Sequence, residues 1–108
     1  MSSDILWGAV NANGTTASGS KGFSVTRQGT GQYVISFRNL FQSTPSIVGS
    51  QTNYGVLPEN TLDNVVFPFV DTGTATVLTG ASNGGPTDRN FSFIAIGVVG
   101  PANPKFKE

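Results

Sequence analysis

The chain has no cysteine and no histidine among its 108 residues, and only 11% of them are charged. Without cysteine there is no disulfide framework and no thiolate metal site. A secreted domain of this length commonly relies on disulfides, so their absence points to assembly inside a cell, as for a virion, or to stabilisation by oligomerisation. Without histidine or cysteine, the most common general base and the most reactive nucleophile are both missing, which argues against an enzyme. The charge content is less than half of the usual ~25%. Six basic and six acidic residues cancel to a net charge of zero, so no basic field exists to hold phosphates, and nucleic-acid binding is excluded as a leading reading. No stretch approaches the ~20 apolar residues of a membrane span. The opening Met1-Ser2-Ser3-Asp4 lacks the basic start and apolar run of a secretory leader.

Ser, Thr, Asn and Gly take the place of charge on the surface. Such a surface offers neutral hydrogen-bond donors and acceptors of the kind that sugars use. No segment shows helical periodicity with caps, and Gly or Pro interrupts every long window. The chain reads instead as about seven strands separated by turns, one antiparallel β-sandwich over residues 1–104, of jelly-roll or H-type-lectin-like kind, with a frayed tail at 105–108.

Strands are expected at Ile5–Val10, Gly22–Arg27, Gln32–Phe37, Ser46–Thr52, Asn64–Val70, Thr74–Thr79 and Phe91–Val99. Gly22–Arg27 and Gln32–Phe37 alternate across the turn Gln28-Gly29-Thr30-Gly31 and form the clearest hairpin. Thr15–Lys21 reads as a small-residue loop after the Asn11–Gly14 turn. Pro68 cannot donate to a ladder, so Asn64–Val70 is an edge strand or carries a bulge there. The core is expected to hold Tyr33, Ile35, Phe37, Val65, Phe67 and Phe69, with Trp7 in the core or at an interface. Arg27 and Arg38 read as ordinary solvated charges.

Phe91–Val99 is the most informative segment. Phe91, Phe93 and Ala95 point one way, and Ile94, Ile96 and Val98 the other. A strand apolar on both faces must be covered on both sides. A chain of this length builds one core, so a second copy is expected near Ile94, Ile96 and Val98.

The order of signatures is itself suggestive: Val10-Asn11-Ala12-Asn13-Gly14, then Gly22-Phe23-Ser24-Val25-Thr26-Arg27, then Gly29-Thr30-Gly31-Gln32-Tyr33-Val34-Ile35-Ser36-Phe37, Phe41 with Pro45-Ser46-Ile47-Val48, and Phe93-Ile94-Ala95-Ile96-Gly97. It resembles small β-domains at the ends of phage tail fibres and of collagen-like bacterial surface proteins. More loosely it resembles the H-type lectin sandwich, in the Phe-x-x-x-Pro segment and the terminal Ala-x-Gly strand. The resemblance implies a trimerising sandwich at the tip of a fibre, on a virion or an extracellular surface, where cell-surface sugars are bound. The chain departs from the H-type pattern in its tryptophan, which is Trp7 rather than a residue of the final strand.

The remaining motifs carry less. Asp63, Asp71 and Asp88 stand apart in sequence and match no calcium loop, so they read as turn formers. Gly14–Lys21 is not a phosphate loop, because Ser20 separates Gly19 from Lys21 and a strand follows. Asn13-Gly14-Thr15 and Asn90-Phe91-Ser92 fit the glycosylation sequon by chance. Neutral amides, carboxylates and one aromatic platform suit a sugar, and the candidate binding residues are Asn53, Tyr54, Asp63, Asn64, Asp88, Arg89 and Asn90, with Trp7 as a second platform. The expected function is a non-enzymatic, carbohydrate-binding homotrimer with a dimer as runner-up, needing no cofactor or metal. The alternative is a purely structural trimerisation or capping domain.

Overall fold

A computed structural model describes residues 2–53 and 61–99. Among the described residues there are eight strands and no helix: β1 (Ser2–Val10), β2 (Thr16–Gly19), β3 (Ser24–Gly29), β4 (Gln32–Ser36), β5 (Ser46–Gln51), β6 (Asn64–Val70), β7 (Thr74–Gly80) and β8 (Phe91–Val99). They form two four-stranded sheets, in the orders β2-β1-β8-β5 and β3-β4-β7-β6. Every pairing is antiparallel. The protein is therefore an all-β antiparallel sandwich. The expected tail at 105–108 and the domain end near Pro104 lie outside the described residues.

The alternation of each strand decides what goes between the sheets. Leu6 and Val10 of β1 and Phe91, Phe93, Ala95 and Val99 of β8 point inward from one sheet. Tyr33 and Ile35 of β4, Val65 of β6 and Ala75 and Val77 of β7 meet them from the other. Phe37, Leu40 and Phe41 close one end of this core. Aromatic rings cross it: Tyr33 lies 5.1 Å from Phe91 and tilted by 56°, and Phe23 stands edge-on to Phe93, also at 5.1 Å. Such offset and edge arrangements are the ones the ring quadrupole favours.

Pro68 has the effect its chemistry requires, and more. β6 is an edge strand, and its pairing with β7 slips between Val66 and Phe69. A bulge of one extra residue reverses the inward–outward order beyond it. Val65 is buried and Phe67 packs against the core, but Phe69 is turned out and 74% exposed, while Val70 takes the inward place. The expectation that Phe69 fills the core is therefore wrong, and the bulge is the reason.

Three further expectations are corrected. Thr15–Lys21 is not all loop: β2 pairs with β1 there, Gly8 opposite Gly19 and Ala9 opposite Ser18. Its residues are all exposed, so it buries nothing that alternation could reveal. Of the two places read for Trp7, core or interface, the structure removes the core. Trp7 stands 47% exposed on the outer face of the first sheet, because β1 buries Leu6, Gly8 and Val10 and turns Ile5, Trp7 and Ala9 out. Arg27 shares the inward side of β3 with Val25, opposite Tyr33, and it is paired rather than merely solvated.

Candidate functional site

The candidate residues from two connections, Asn53 with Asp63 and Asn64 on one side and Asp88, Arg89 and Asn90 on the other, meet at one end of the sandwich. The second begins with a tight turn in which Gly84 N–H donates to the Ala81 carbonyl (2.8 Å) and Ala81 N–H to the Gly85 carbonyl (3.0 Å). The chain then runs back along β7: Thr87 N–H donates to the Thr79 carbonyl, and the Thr79 hydroxyl to the Thr87 carbonyl at 2.6 Å.

Asp88 follows, and its carboxylate is fully occupied. It accepts from Arg27 Nε at 3.1 and 3.2 Å and from the Gly31 N–H at 2.8 Å, and Arg27 Nη2 lies 3.0 Å away. The Tyr33 hydroxyl sits 3.4 Å from it and donates to the Ala12 carbonyl at 2.7 Å. One carboxylate thus ties the loop to the β3–β4 turn. The hydrogen bonds from Arg27 and then from Gly31 hold the Asp88 carboxyl below its ordinary range. Burial pushes the Tyr33 phenol up.

The sign of the pH effect follows. A carboxyl with a depressed pKa in the folded state stabilises that state above its unfolded pKa of about 4, and the contribution disappears as pH falls through the depressed value. Asp71 acts in the same sense, lowered by the Thr74 and Gly73 N–H groups that its Oδ1 accepts. We expect the melting temperature to fall as the pH drops below about 4, and Asp88→Asn to flatten that fall while lowering the plateau at neutral pH. Thermal melts followed by circular dichroism across this range test it; identical profiles for the two proteins would show that the Asp88 contacts do not stabilise the fold.

Asn90 also serves the framework. Its Oδ1 accepts from the Ala12 N–H at 2.8 Å, and its Nδ2 donates to the Asn53 carbonyl at 3.0 Å. The Thr52 N–H donates to the Asn90 carbonyl. Arg89 and Asp63 form an ion pair at 3.7 Å, with side chains only 12% and 3% exposed. Gln51 Nε2 bridges the two sheets, donating to the carbonyls of Asn64 and Gly80 at 2.9 and 2.7 Å. Asn64 Oδ1 accepts from the Val65 N–H. Six of the seven candidate residues are therefore gathered at this end; Asp63, Arg89 and Asn90 bind the two connections to one another, and Asp88 binds to the β3–β4 turn. Tyr54 lies outside the described residues.

What the ties enclose is a groove of about 250 Å³ between the loops. Leu62, Val66, Leu78 and Pro86 give it an apolar bed, and Gln32 and Asn64 stand on its wall. Its volume is just below the ~300–1,000 Å³ of pockets for drug-sized ligands and suits a single ring. Of the described candidate residues only Asn64 lines it. The signal for the others was present in the strands: Val66 pairs with Leu78 on the outward side of β6 and β7, where an alternating strand should be polar.

Among the described residues no three His, Cys, Asp or Glu side chains are placed to share a metal ion. No family model matches the chain, and comparison with curated proteins and with solved structures likewise finds no match.

Proposed function

We propose that this chain is a non-enzymatic recognition module, of the phage tail-fibre or lectin-like type, that binds cell-surface carbohydrate between its loops and acts as a homo-oligomer. The observation that carries this reading is the groove between Leu62 and Asn64 on one side and residues 80–86 on the other, with an apolar bed and amide groups on its wall. A sugar ring has the matching chemistry, C–H faces that lie on apolar side chains and hydroxyls that bond neutral donors and acceptors. The hydrogen bonds that fix the loops hold the groove in shape before any ligand arrives, which lowers the ordering cost of binding. The neutral surface fits the same ligand class, and several weak sites on one assembly gain avidity with no new contact.

A glycan-array screen of the purified protein tests the reading. Saturable binding to one glycan family is expected, and Gln32→Ala combined with Leu62→Ala should weaken it by about tenfold or more. Both side chains are exposed, so stability should change by no more than about 0.5 kcal/mol per site. A well-folded oligomer that binds no glycan would overturn the proposal and leave the structural capping role, for which the outer face of the β2-β1-β8-β5 sheet is the supporting feature.

A further inference from the structure

The outer face of the β2-β1-β8-β5 sheet is built like the inside of an interface. Cross-strand register sets Ile5 beside Ile96, and Trp7, Ile94 and Val48 in one row across β1, β8 and β5. All five are large, apolar and 43–65% exposed. Val98 extends the apolar row on β8, and the other positions around it on the same side are small and neutral: Ser3 and Ala9 on β1, Ser92 on β8, Ser46 and Ser50 on β5. Among the described residues, no outward position of these strands carries a charge. An apolar centre depleted of charge inside a polar rim is the composition of an interface core.

We infer that this face is the contact between two copies of the chain, packed sheet against sheet about a two-fold axis that runs along β8. The inference rests on the homo-oligomeric part of the function proposed above and gives it a surface and a symmetry. Two observations select a second copy as the occupant. The face offers no charge by which to choose a foreign partner, and two uncharged faces meet without repulsion. Its footprint is about 30 Å along β1 and β8 and shorter on the six-residue β5 and the four-residue β2, about 450 Å² in plan before side-chain relief, the scale of a small, transient contact rather than of the ~800 Å² per partner of a standard complex.

The second observation is complementary relief. Trp7 projects on the β1 side of β8, and on the β5 side lies a depression of about 310 Å³ lined by Val48, Ser50, Ser92 and Ile94. A two-fold axis along β8 exchanges these two sides. It lays the indole of each copy over Val48 and Ser50 of the other, and it sets Ile94 and Ile96 against their own counterparts on the axis. The tryptophan contact forms twice and the isoleucine contacts once each on the axis, as an isologous interface requires, and tryptophan in a desolvated pocket is the residue that most often dominates such contacts.

Sedimentation of the full chain at micromolar concentration, without any glycan, tests the contact separately from sugar binding. The wild type should run at twice the chain mass. Ile94→Asp should raise the dissociation constant by about 100-fold or more, because association would bury a charge without a partner. The substitution sits on a half-exposed side chain, so the monomer should keep its β-sheet spectrum. Because the chain has no cysteine, Ile94→Cys gives a second readout: under mild oxidation it should cross-link to a covalent dimer across the axis, whereas Thr76→Cys on the other sheet should not. A monomeric wild type, a dimer indifferent to Ile94→Asp, or a trimer that fails to cross-link at 94 would each overturn the inference. Loss of glycan binding with the dimer intact would instead count against the groove alone.

Discussion

Phe91→Ala should lower the free energy of unfolding by about 3–5 kcal/mol, the range for emptying a fully buried phenylalanine site. Phe91 has no exposed surface. It opens β8 between Val10 of β1 and Gln51 of β5, and its ring lies against Tyr33. Tyr33 in turn holds the Ala12 carbonyl, so the cavity would open under the loop framework as well as in the core. For a domain whose total stability is about 5–15 kcal/mol, that is a large fraction, and the melting temperature should fall by about 15 °C or more. Phe91→Leu, which refills much of the volume, should recover most of the loss. Urea titration reads both. A change below about 1 kcal/mol for the alanine variant would mean that the surrounding walls close over the space.

Gly31→Ala should be nearly as damaging for a different reason. Gly31 has φ = 66°, a left-handed conformation that costs other residues about 1–2 kcal/mol. A methyl group there would also lie 2.5 Å from the Thr79 carbonyl oxygen and 2.8 Å from the Thr87 nitrogen. Both are backbone atoms, fixed by pairing of Thr79 with Thr87 and of Thr79 with Gly31 itself. The strand and the loop must separate, which takes Asp88 away from the Gly31 N–H and opens the groove. We expect a loss of about 3 kcal/mol or more, together with loss of glycan binding. Gly84→Ala is the control: Gly84 has φ = 84°, but its methyl would meet nothing within 4 Å, so it should show the conformational strain alone. Equal losses at the two sites would show that the close approach at Gly31 relaxes at little cost.

The fold was legible wherever a strand buries one side. Tyr33, Ile35 and Phe37 alternate in sequence and are buried in the structure, and β6 begins and ends at the residues read for it. β2 was not legible, because Thr16–Gly19 is exposed on both sides and is held by backbone pairing to β1, which any residue but proline can make. Phe69 was misread because periodicity was carried straight through Pro68, although the proline already announced a bulge or an edge. The two-faced character of β8 was legible, and Ile94 and Ile96 are the residues left half exposed.

The loop end was legible only as a place. Asn and Asp residues in turns mark where side chains reach backbone groups, but partners far apart in the chain cannot be read from their spacing. Arg27 and Asp88 are 61 positions apart, and Ala12 and Asn90 are 78 apart. Each looked like an unattached polar residue until the sheets brought its partner near. The groove was hidden for a related reason: its bed comes from outward residues of two strands and from two connections, and only the packing of all four makes a cavity of them.

The long pairing of β1 with β8, nine residues from Ser2 opposite Val99 to Val10 opposite Phe91, also sets the order in which a newly made chain can assemble. On the ribosome, β3, β4, β6 and β7 all emerge before β8 and can close their whole sheet. The other sheet cannot follow, because its β1–β2 hairpin and its β5 are joined only through β8, which is synthesised after every one of them. Until β8 slides between these two waiting edges, Leu6 and Val10 lack their cover and two strand edges stand open. A nascent chain in that state is the one most prone to aggregate and most in need of a chaperone.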